Sequence, residues 1–278
     1  MVPLDIRFLL QRYSIHPNKR LGQNFLIDEM GLAKVTAAAE LGPADTVLEI
    51  GAGLGSLTRH LAAAAQRVVA VELDGALLPA LEYTLHGLDN VEIIRADILR
   101  LDLARSAGLA PGFKVVANIP YYITSAVIRH LLEAPVRPSC VVLTVQREVA
   151  ERIIAKPNDM NLLAVSVQFY SEPRRVARLP AGAFYPRPQV DSEVVRLDVR
   201  DQPAVAVADV EHFFQVVKAG FSQKRKQLRN ALSGGMHLDQ AQTDRVLEAA
   251  GVAPQRRAET LTLAEWGALD QAARLVTG

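Results

Sequence analysis

The chain has 278 residues, half of them hydrophobic and 22% charged, which suits a globular protein with one large α/β domain and a smaller second one. Its single cysteine, Cys140, lies in the apolar run Cys140-Val141-Val142-Leu143, so a disulfide framework is excluded and a zinc cluster is argued against. No apolar run approaches a membrane span and the start lacks a signal-peptide core, so we expect a cytoplasmic protein with no membrane partner; no metal is expected, and the net charge of only +1 does not announce a nucleic-acid binder.

Between residues 47 and 146, short β-branched runs alternate with stretches long enough for a loop and a helix. The runs are 47–50, 68–71, 91–94, 114–117 and 141–145, and their alternation predicts βαβ units around a parallel sheet buried on both faces. A helix over 161–170 with Asn161 as its N-cap comes next, then a strand over 174–179. A proline-rich loop at 180–188 leads to a last strand, 192–199, where Val195 and Leu197 alternate with Arg196 and Asp198; this final hairpin suits an antiparallel edge. Strand signals end at Asp201-Gln202-Pro203. Stretches 210–219, 223–232, 238–250 and 263–276 then read as helices, separated by Gly234-Gly235 and Gly251. The predicted domains are 1–202, with an N-terminal extension over 1–26, and an all-helical 203–278.

The first strand runs into Glu49-Ile50-Gly51-Ala52-Gly53-Leu54-Gly55. Glycines there let the chain turn sharply and let a ligand approach backbone N–H groups at a helix N-terminus. Glu72 ends the second strand, where a carboxylate can accept both ribose hydroxyls, and Asp97 ends the third, placed to accept from an adenine amine. A glycine turn alone is a weak signal, and a dinucleotide site is its rival reading. Against that rival, the spacing is G-x-G-x-G and Glu49 would stand beside a pyrophosphate. Beside a cofactor that carries a sulfonium and an ammonium, the extra acid is tolerable.

The fourth strand ends in Asn118-Ile119-Pro120-Tyr121-Tyr122. The N6 lone pair of adenine is delocalised and poorly nucleophilic; two acceptors aimed at its hydrogens favour a more tetrahedral nitrogen. The Asn118 side-chain oxygen and the Ile119 carbonyl are the candidate acceptors, Pro120 holds them in register, and Tyr121 can stack on the base. The methylated nitrogen turns acidic, so no strong base is required. Extruding a base costs a few kcal/mol, and stacking returns roughly 1–3 kcal/mol per base, so two rings suit the task better than one. Phe184 is the second candidate, with Tyr122 and Tyr185 as alternatives.

Taken together, these segments resemble the KsgA (RsmA) family of small-subunit ribosomal RNA adenine dimethyltransferases over most of the chain. The marks are Leu21-Gly22-Gln23-Asn24-Phe25-Leu26, the loop 49–55, Asn118-Ile119-Pro120-Tyr121, and Phe184-Tyr185-Pro186-Arg187-Pro188-Gln189-Val190-Asp191-Ser192. The resemblance implies a Rossmann-like, seven-stranded class I methyltransferase domain with a small all-helical C-terminal domain. It implies S-adenosyl-L-methionine as cofactor, with contacts at Asn24, Leu26, Gly51, Gly53, Glu72, Asp97 and Asn118, and a flipped adenine held by Phe184 and Tyr121. It also implies two adjacent adenines in a hairpin near the 3′ end of 16S rRNA, each dimethylated within the assembling 30S subunit. Monomer is the expected state.

Two alternatives remain open. The same core motifs occur in Erm-type methyltransferases of large-subunit rRNA, although Phe221-Ser222-Gln223-Lys224-Arg225-Lys226-Gln227-Leu228 looks more like the KsgA type. A mainly non-catalytic ribosome-assembly factor is motivated by the basic C-terminal region. The cations Arg147, Lys224, Arg225, Lys226 and Arg229 are the candidate RNA contacts, provided they converge in space. The six histidines are scattered, and neither a P-loop lysine nor a nucleophile elbow is present.

Overall fold

A computed structural model describes residues 2–18, 21–119, 123–223 and 225–277. The chain divides into two compact units, one comprising Met1–Ala150 with Pro173–Val199, the other Glu151–Glu172 with Arg200–Gly278.

The first unit opens with α1 (Ile6–Arg12), β1 (Phe25–Leu26) and α2 (Glu29–Ala38). The alternating core follows as β2 (Thr46–Ile50), α3 (Ser56–Ala62), β3 (Arg67–Glu72), α4 (Leu78–Leu85), β4 (Val91–Arg95), β5 (Lys114–Asn118), α5 (Thr124–Glu133) and β6 (Cys140–Gln146). After α6 (Arg147–Ile153) and α7 (Leu162–Tyr170) come β7 (Ser171–Leu179), β8 (Phe184–Tyr185) and β9 (Ser192–Val199).

Seven of these strands form one sheet in the order β4-β3-β2-β5-β6-β9-β7. The pairs β4–β3, β3–β2, β2–β5 and β5–β6 are parallel. Val47, Leu48, Val68, Val69, Val115, Val116, Val141 and Val142 are fully buried, as expected where helices cover both faces of a parallel sheet. All five β-branched runs form the expected strands. The closing hairpin is present with one refinement. β9 lies inside, antiparallel to β6, and β7 is its outer neighbour. Arg196 is therefore buried, and it is satisfied by Asp198 at 2.7 Å and by the Ala38 carbonyl at 2.7 Å.

The strand order brings the carboxyl ends of β4, β3, β2 and β5 side by side, and the chain reverses its direction of winding when it crosses from β4 back past β3 and β2 to β5, which makes the switch point between β2 and β5. Separately, β1 and β8 form a two-stranded antiparallel ribbon, Phe25 opposite Tyr185 and Leu26 opposite Phe184. Helix α1 packs Ile6, Leu9 and Leu10 into a cluster with Phe25, Leu54, Leu77 and Ala80.

The second unit contains α7, α8 (Val210–Phe221), α9 (Leu228–Met236), α10 (Gln240–Ala249) and α11 (Leu263–Thr277). Asn161, Asp209 and Asp239 cap α7, α8 and α10 through side-chain oxygens, Asp239 in a reciprocal capping box with Gln242. The unit differs from the sequence reading in two ways. Residues 151–172 group with it, whereas the expected boundary leaves them in the first domain. The physical reason is aromatic packing, for Phe169 stacks on Phe213 at 4.7 Å and meets Phe214 edge-on at 5.3 Å. Second, Gly234-Gly235 does not separate helices but lies inside α9, which starts only at Leu228. A Cβ on Gly235 would fall 2.5 Å from that of Ala219, so the glycine permits close packing of α9 on α8. The break comes at His237, left-handed with φ 55°. Among the described residues, no helix is long and apolar enough to cross a membrane.

Candidate active site

The site is built around the turn that follows β2. Gly51 and Gly53 adopt φ of +76° and +60°, a region that side chains rarely tolerate. There is also little room for a Cβ. On Gly53 it would lie 3.2 Å from the Phe25 ring, and on Gly51 it would lie 3.4 Å from the Asn118 carbonyl oxygen.

Glu72, at the end of β3, is fastened by main-chain donors. The Gly53 N–H donates to Oε2 at 2.8 Å and the Asp74 N–H to Oε1 at 2.8 Å. Burial raises its pKa, and these backbone N–H groups oppose the rise. Glu49, on β2, is only 1% exposed. Burial pushes its carboxyl up to about 8; the nearby Thr58 hydroxyl opposes the shift and Glu72 reinforces it. Neither Glu49 Oε2 nor Thr58 Oγ1 completes a hydrogen bond of good geometry among the described residues. Asp97 follows β4, with its carboxylate accepting from the Leu99 N–H at 3.0 Å.

Over these strand ends lies a cleft of about 820 Å³ counted with its open mouth. Its floor and walls come from Ile50, Gly51 and Gly53, from Val71, Glu72 and Leu73, from Ala96, Asp97 and Ile98, and from Asn118 and Ile119. Residues 21–25 cross it as a strap. Asn118 donates through Nδ2 to the Asn24 carbonyl at 3.1 Å, and Asn24 donates through its own Nδ2 to the Gly22 carbonyl at 3.1 Å. The Asn118 amide is thereby oriented with Oδ1 left as an acceptor.

Of the residues expected at the site, Asn24, Gly51, Gly53, Glu72, Asp97, Asn118 and Ile119 line this cleft. Pro120 and Tyr121 lie outside the described residues, as does Lys224. Leu26 and Phe184 do not line it. They face each other across the β1–β8 ribbon and enter the main core with Leu32, Val35 and Leu179, Phe184 being 3% exposed. Side chains alternate along a strand, so when Phe25 faces the cleft, its neighbour Leu26 and the partner Phe184 face away.

The candidate RNA cations fall in both units. Arg147 opens α6, and the Asp191 carbonyl accepts from its N–H at 3.3 Å. Arg225 and Lys226 are exposed ahead of α9. Arg229 is different, because its guanidinium donates to the Asp244 carboxylate.

Sequence reasoning gave no separate role to Gln23, which lines the cleft and donates to Asp74 Oδ2 at 2.7 Å. The motif around it was visible; its partner, 51 residues away, was not. Leu73, Leu77 and Ile98 supply apolar walls with no sequence mark beyond their nearness to Glu72 and Asp97. Chemically, the cleft offers carboxylates to hydroxyl and amine donors and an oriented amide oxygen at one end.

Residues 15–269 match the family described as ribosomal RNA adenine dimethylase. The chain is 45% identical over 279 residues to ribosomal RNA small subunit methyltransferase A of Pelotomaculum thermopropionicum, covering 96% of this chain and 95% of that protein. With the Moorella thermoacetica protein of the same name, identity is 44% over 273 residues, covering 95% and 94%. Among solved structures, the 23S rRNA methyltransferase ErmE superposes with a TM-score of 0.72 at 29% identity, over 90% of this chain and 100% of that one. A dimethyladenosine transferase from Plasmodium falciparum superposes with a TM-score of 0.73 at 24% identity, over 88% and 95%, a likeness of fold.

Proposed function

The chain belongs to the ribosomal RNA adenine dimethylase family of S-adenosylmethionine-dependent methyltransferases, and on that premise we propose that it dimethylates N6 of two adjacent adenines in a hairpin near the 3′ end of small-subunit rRNA. The assembling 30S subunit is the proposed substrate, met by a monomer in the cytoplasm. The small-subunit reading is supported by 44–45% identity to proteins named for that subunit, against 29% to ErmE.

The observation that carries the chemistry is the Asn118 amide, held through Nδ2 by Asn24 so that Oδ1 remains an acceptor. In this reading Oδ1 and the Ile119 carbonyl accept the two N6 hydrogens. They draw the lone pair out of conjugation and later help the methylated nitrogen shed its proton to solvent. Pro120 and Tyr121 continue the same segment, and Phe184 is the second proposed ring, uncovered from the core when the base enters.

S-adenosylmethionine, when bound, supplies an electrophilic methyl group on a sulfonium. The residues present fit it. Glu72 suits the ribose hydroxyls, Asp97 the adenine amine, and Asn24, Leu26, Gly51, Gly53 and Asn118 the remainder, Leu26 by backbone since its side chain is buried. Arg147, Lys224, Arg225, Lys226 and Arg229 are the proposed RNA contacts, most of them in the helical unit, which takes in Glu151–Glu172 as well as Arg200–Gly278.

The test is transfer of labelled methyl from S-adenosylmethionine to small subunits lacking adenine dimethylation, with large subunits and duplex DNA in parallel. Label in small-subunit rRNA as N6,N6-dimethyladenine is expected. Label in large-subunit rRNA instead would move the chain to the Erm-type reading.

A further inference from the structure

The strap over the cleft is fastened on both sides. On the β5 side its Asn24 carbonyl accepts from Asn118 Nδ2 at 3.1 Å. On the β3 side Gln23 Nε2 donates to Asp74 Oδ2 at 2.7 Å. Because β2 lies between β3 and β5 in the sheet, the strap passes across the glycine turn, with the Phe25 ring against Gly53.

The β3-side fastening is fully committed. Gln23 Oε1 accepts from the Asn18 N–H at 2.7 Å, so both ends of its amide are in use. Asp74 Oδ1 accepts from the Ala76 N–H at 3.0 Å, and the Asp74 N–H donates to Glu72 Oε1. A continuous chain of hydrogen bonds therefore runs from Asn18 through Gln23, Asp74 and Glu72 to Gly53. Its Gln23–Asp74 link is a bond to a carboxylate, which is stronger than a bond between neutral groups.

We infer that Gln23 is a positioning residue that latches the strap through Asp74 and thereby sets the rate at which cofactor leaves the cleft. The strap lines the same cleft as the strand ends, so opening either fastening widens the way out for a molecule held there. Each methyl transfer consumes one cofactor, so an enzyme that dimethylates must exchange it between transfers, and the latch governs that exchange. The inference rests on reading this cleft as the cofactor's.

The experiment measures displacement of S-adenosylhomocysteine from the full chain by stopped flow. Gln23→Ala is expected to speed dissociation about tenfold, the equivalent of one charge-assisted hydrogen bond. Gln23→Glu sets two carboxylates against each other and is expected to be at least as fast. Gln23→Glu combined with Asp74→Asn reverses the donor and acceptor, restores the bond and returns the rate toward that of the parent, a rescue that general loosening would not produce. Dissociation from Gln23→Ala at the parental rate overturns the latch, as does a double variant no slower than Gln23→Glu alone. A parent that binds no S-adenosylhomocysteine overturns the cofactor reading of the cleft, and the latch with it.

Discussion

Asn118 and Asn24, 94 residues apart, meet at 3.1 Å through the Asn118 Nδ2 and the Asn24 main-chain carbonyl. An amide has one donor end and one acceptor end, so fixing the donor end fixes where the oxygen stands. The main chain of the strap thus orients the proposed catalytic side chain, and a carboxylate in its place could not make the same contact.

Asn118→Asp and Asn118→Ala should each lower kcat for methyl transfer by about a hundredfold or more, the scale of losing one preorganised hydrogen-bonding group in an active site. Asn118→Ala should still bind immature subunits. Single-turnover transfer separates the steps, and full transfer by Asn118→Ala would remove Asn118 from the mechanism.

Phe184 tests whether a buried ring takes part. Phe184→Leu keeps an apolar side chain in the core around Leu26 and Leu179, so the loss of stability should stay within about 1–3 kcal/mol. If the ring meets the adenine, transfer should fall roughly tenfold, the lower end of what one base–aromatic stack supplies. Transfer at the parental rate would assign Phe184 to packing alone.

Glu49 gives the fold a pH dependence with a definite sign. Its folded pKa, about 8, stands above the ordinary 4.5, so the native state favours the protonated form. The resulting stability is fully present below about 4.5 and is lost as pH rises through about 8. The ligand-free parent should lose thermal stability across this window. Glu49→Gln should lose less and should overtake the parent on the alkaline side by an amount of the order of a few kcal/mol. Glu72 shifts in the same direction and remains in the variant, so the difference between the two proteins reports Glu49 together with its repulsion from Glu72. Parallel curves would mean that Glu49 does not titrate there.

What the sequence revealed follows from the range of the forces involved. Central strands such as 68–71 and 141–145 were legible because burial on both faces demands unbroken apolar runs. Asn161 was legible as a cap because its bond to the Ala164 N–H spans three residues. The glycine turn and the acids at the strand ends were legible because they sit at strand termini. The facing of Phe184 was not, since it depends on how two strands of two residues pair. Nor were the Gln23 partner and the place of α7, which rest on contacts between residues tens of positions apart. The seven-residue α1 carries too little periodicity to stand out, and Gly234-Gly235 looked like a breaker because its packing partner belongs to another helix.

The packing of the helical unit can be probed at Gly220, where a Cβ would fall 2.3 Å from the Trp266 ring. Trp266 is fully buried and is the single tryptophan of the chain, so its fluorescence reports on this unit. Gly220→Ala should cost about 1–3 kcal/mol through overpacking. The measurement is the denaturant midpoint followed by fluorescence, and an unchanged midpoint would mean that the helices yield without cost.

The basic residues just ahead of α9 and in its first turn are cations in two different situations. Arg225 and Lys226 are exposed, whereas Arg229 is bound to Asp244. Counterion release makes the salt dependence of RNA binding count the cations that neutralise phosphates, with each one contributing about 0.7–0.9 to the slope of log K against log salt. Replacing Arg225 and Lys226 together by alanine should therefore flatten the slope by roughly 1.4–1.8 and leave cofactor affinity unchanged. Arg229→Ala should act otherwise. It leaves the half-exposed Asp244 carboxylate to solvent, which changes stability little, and it has less effect on the slope, because a guanidinium already committed to a carboxylate has less to offer a phosphate. A slope that responds to Arg229→Ala but not to the double variant would reverse this assignment and make the ion-paired arginine the RNA contact.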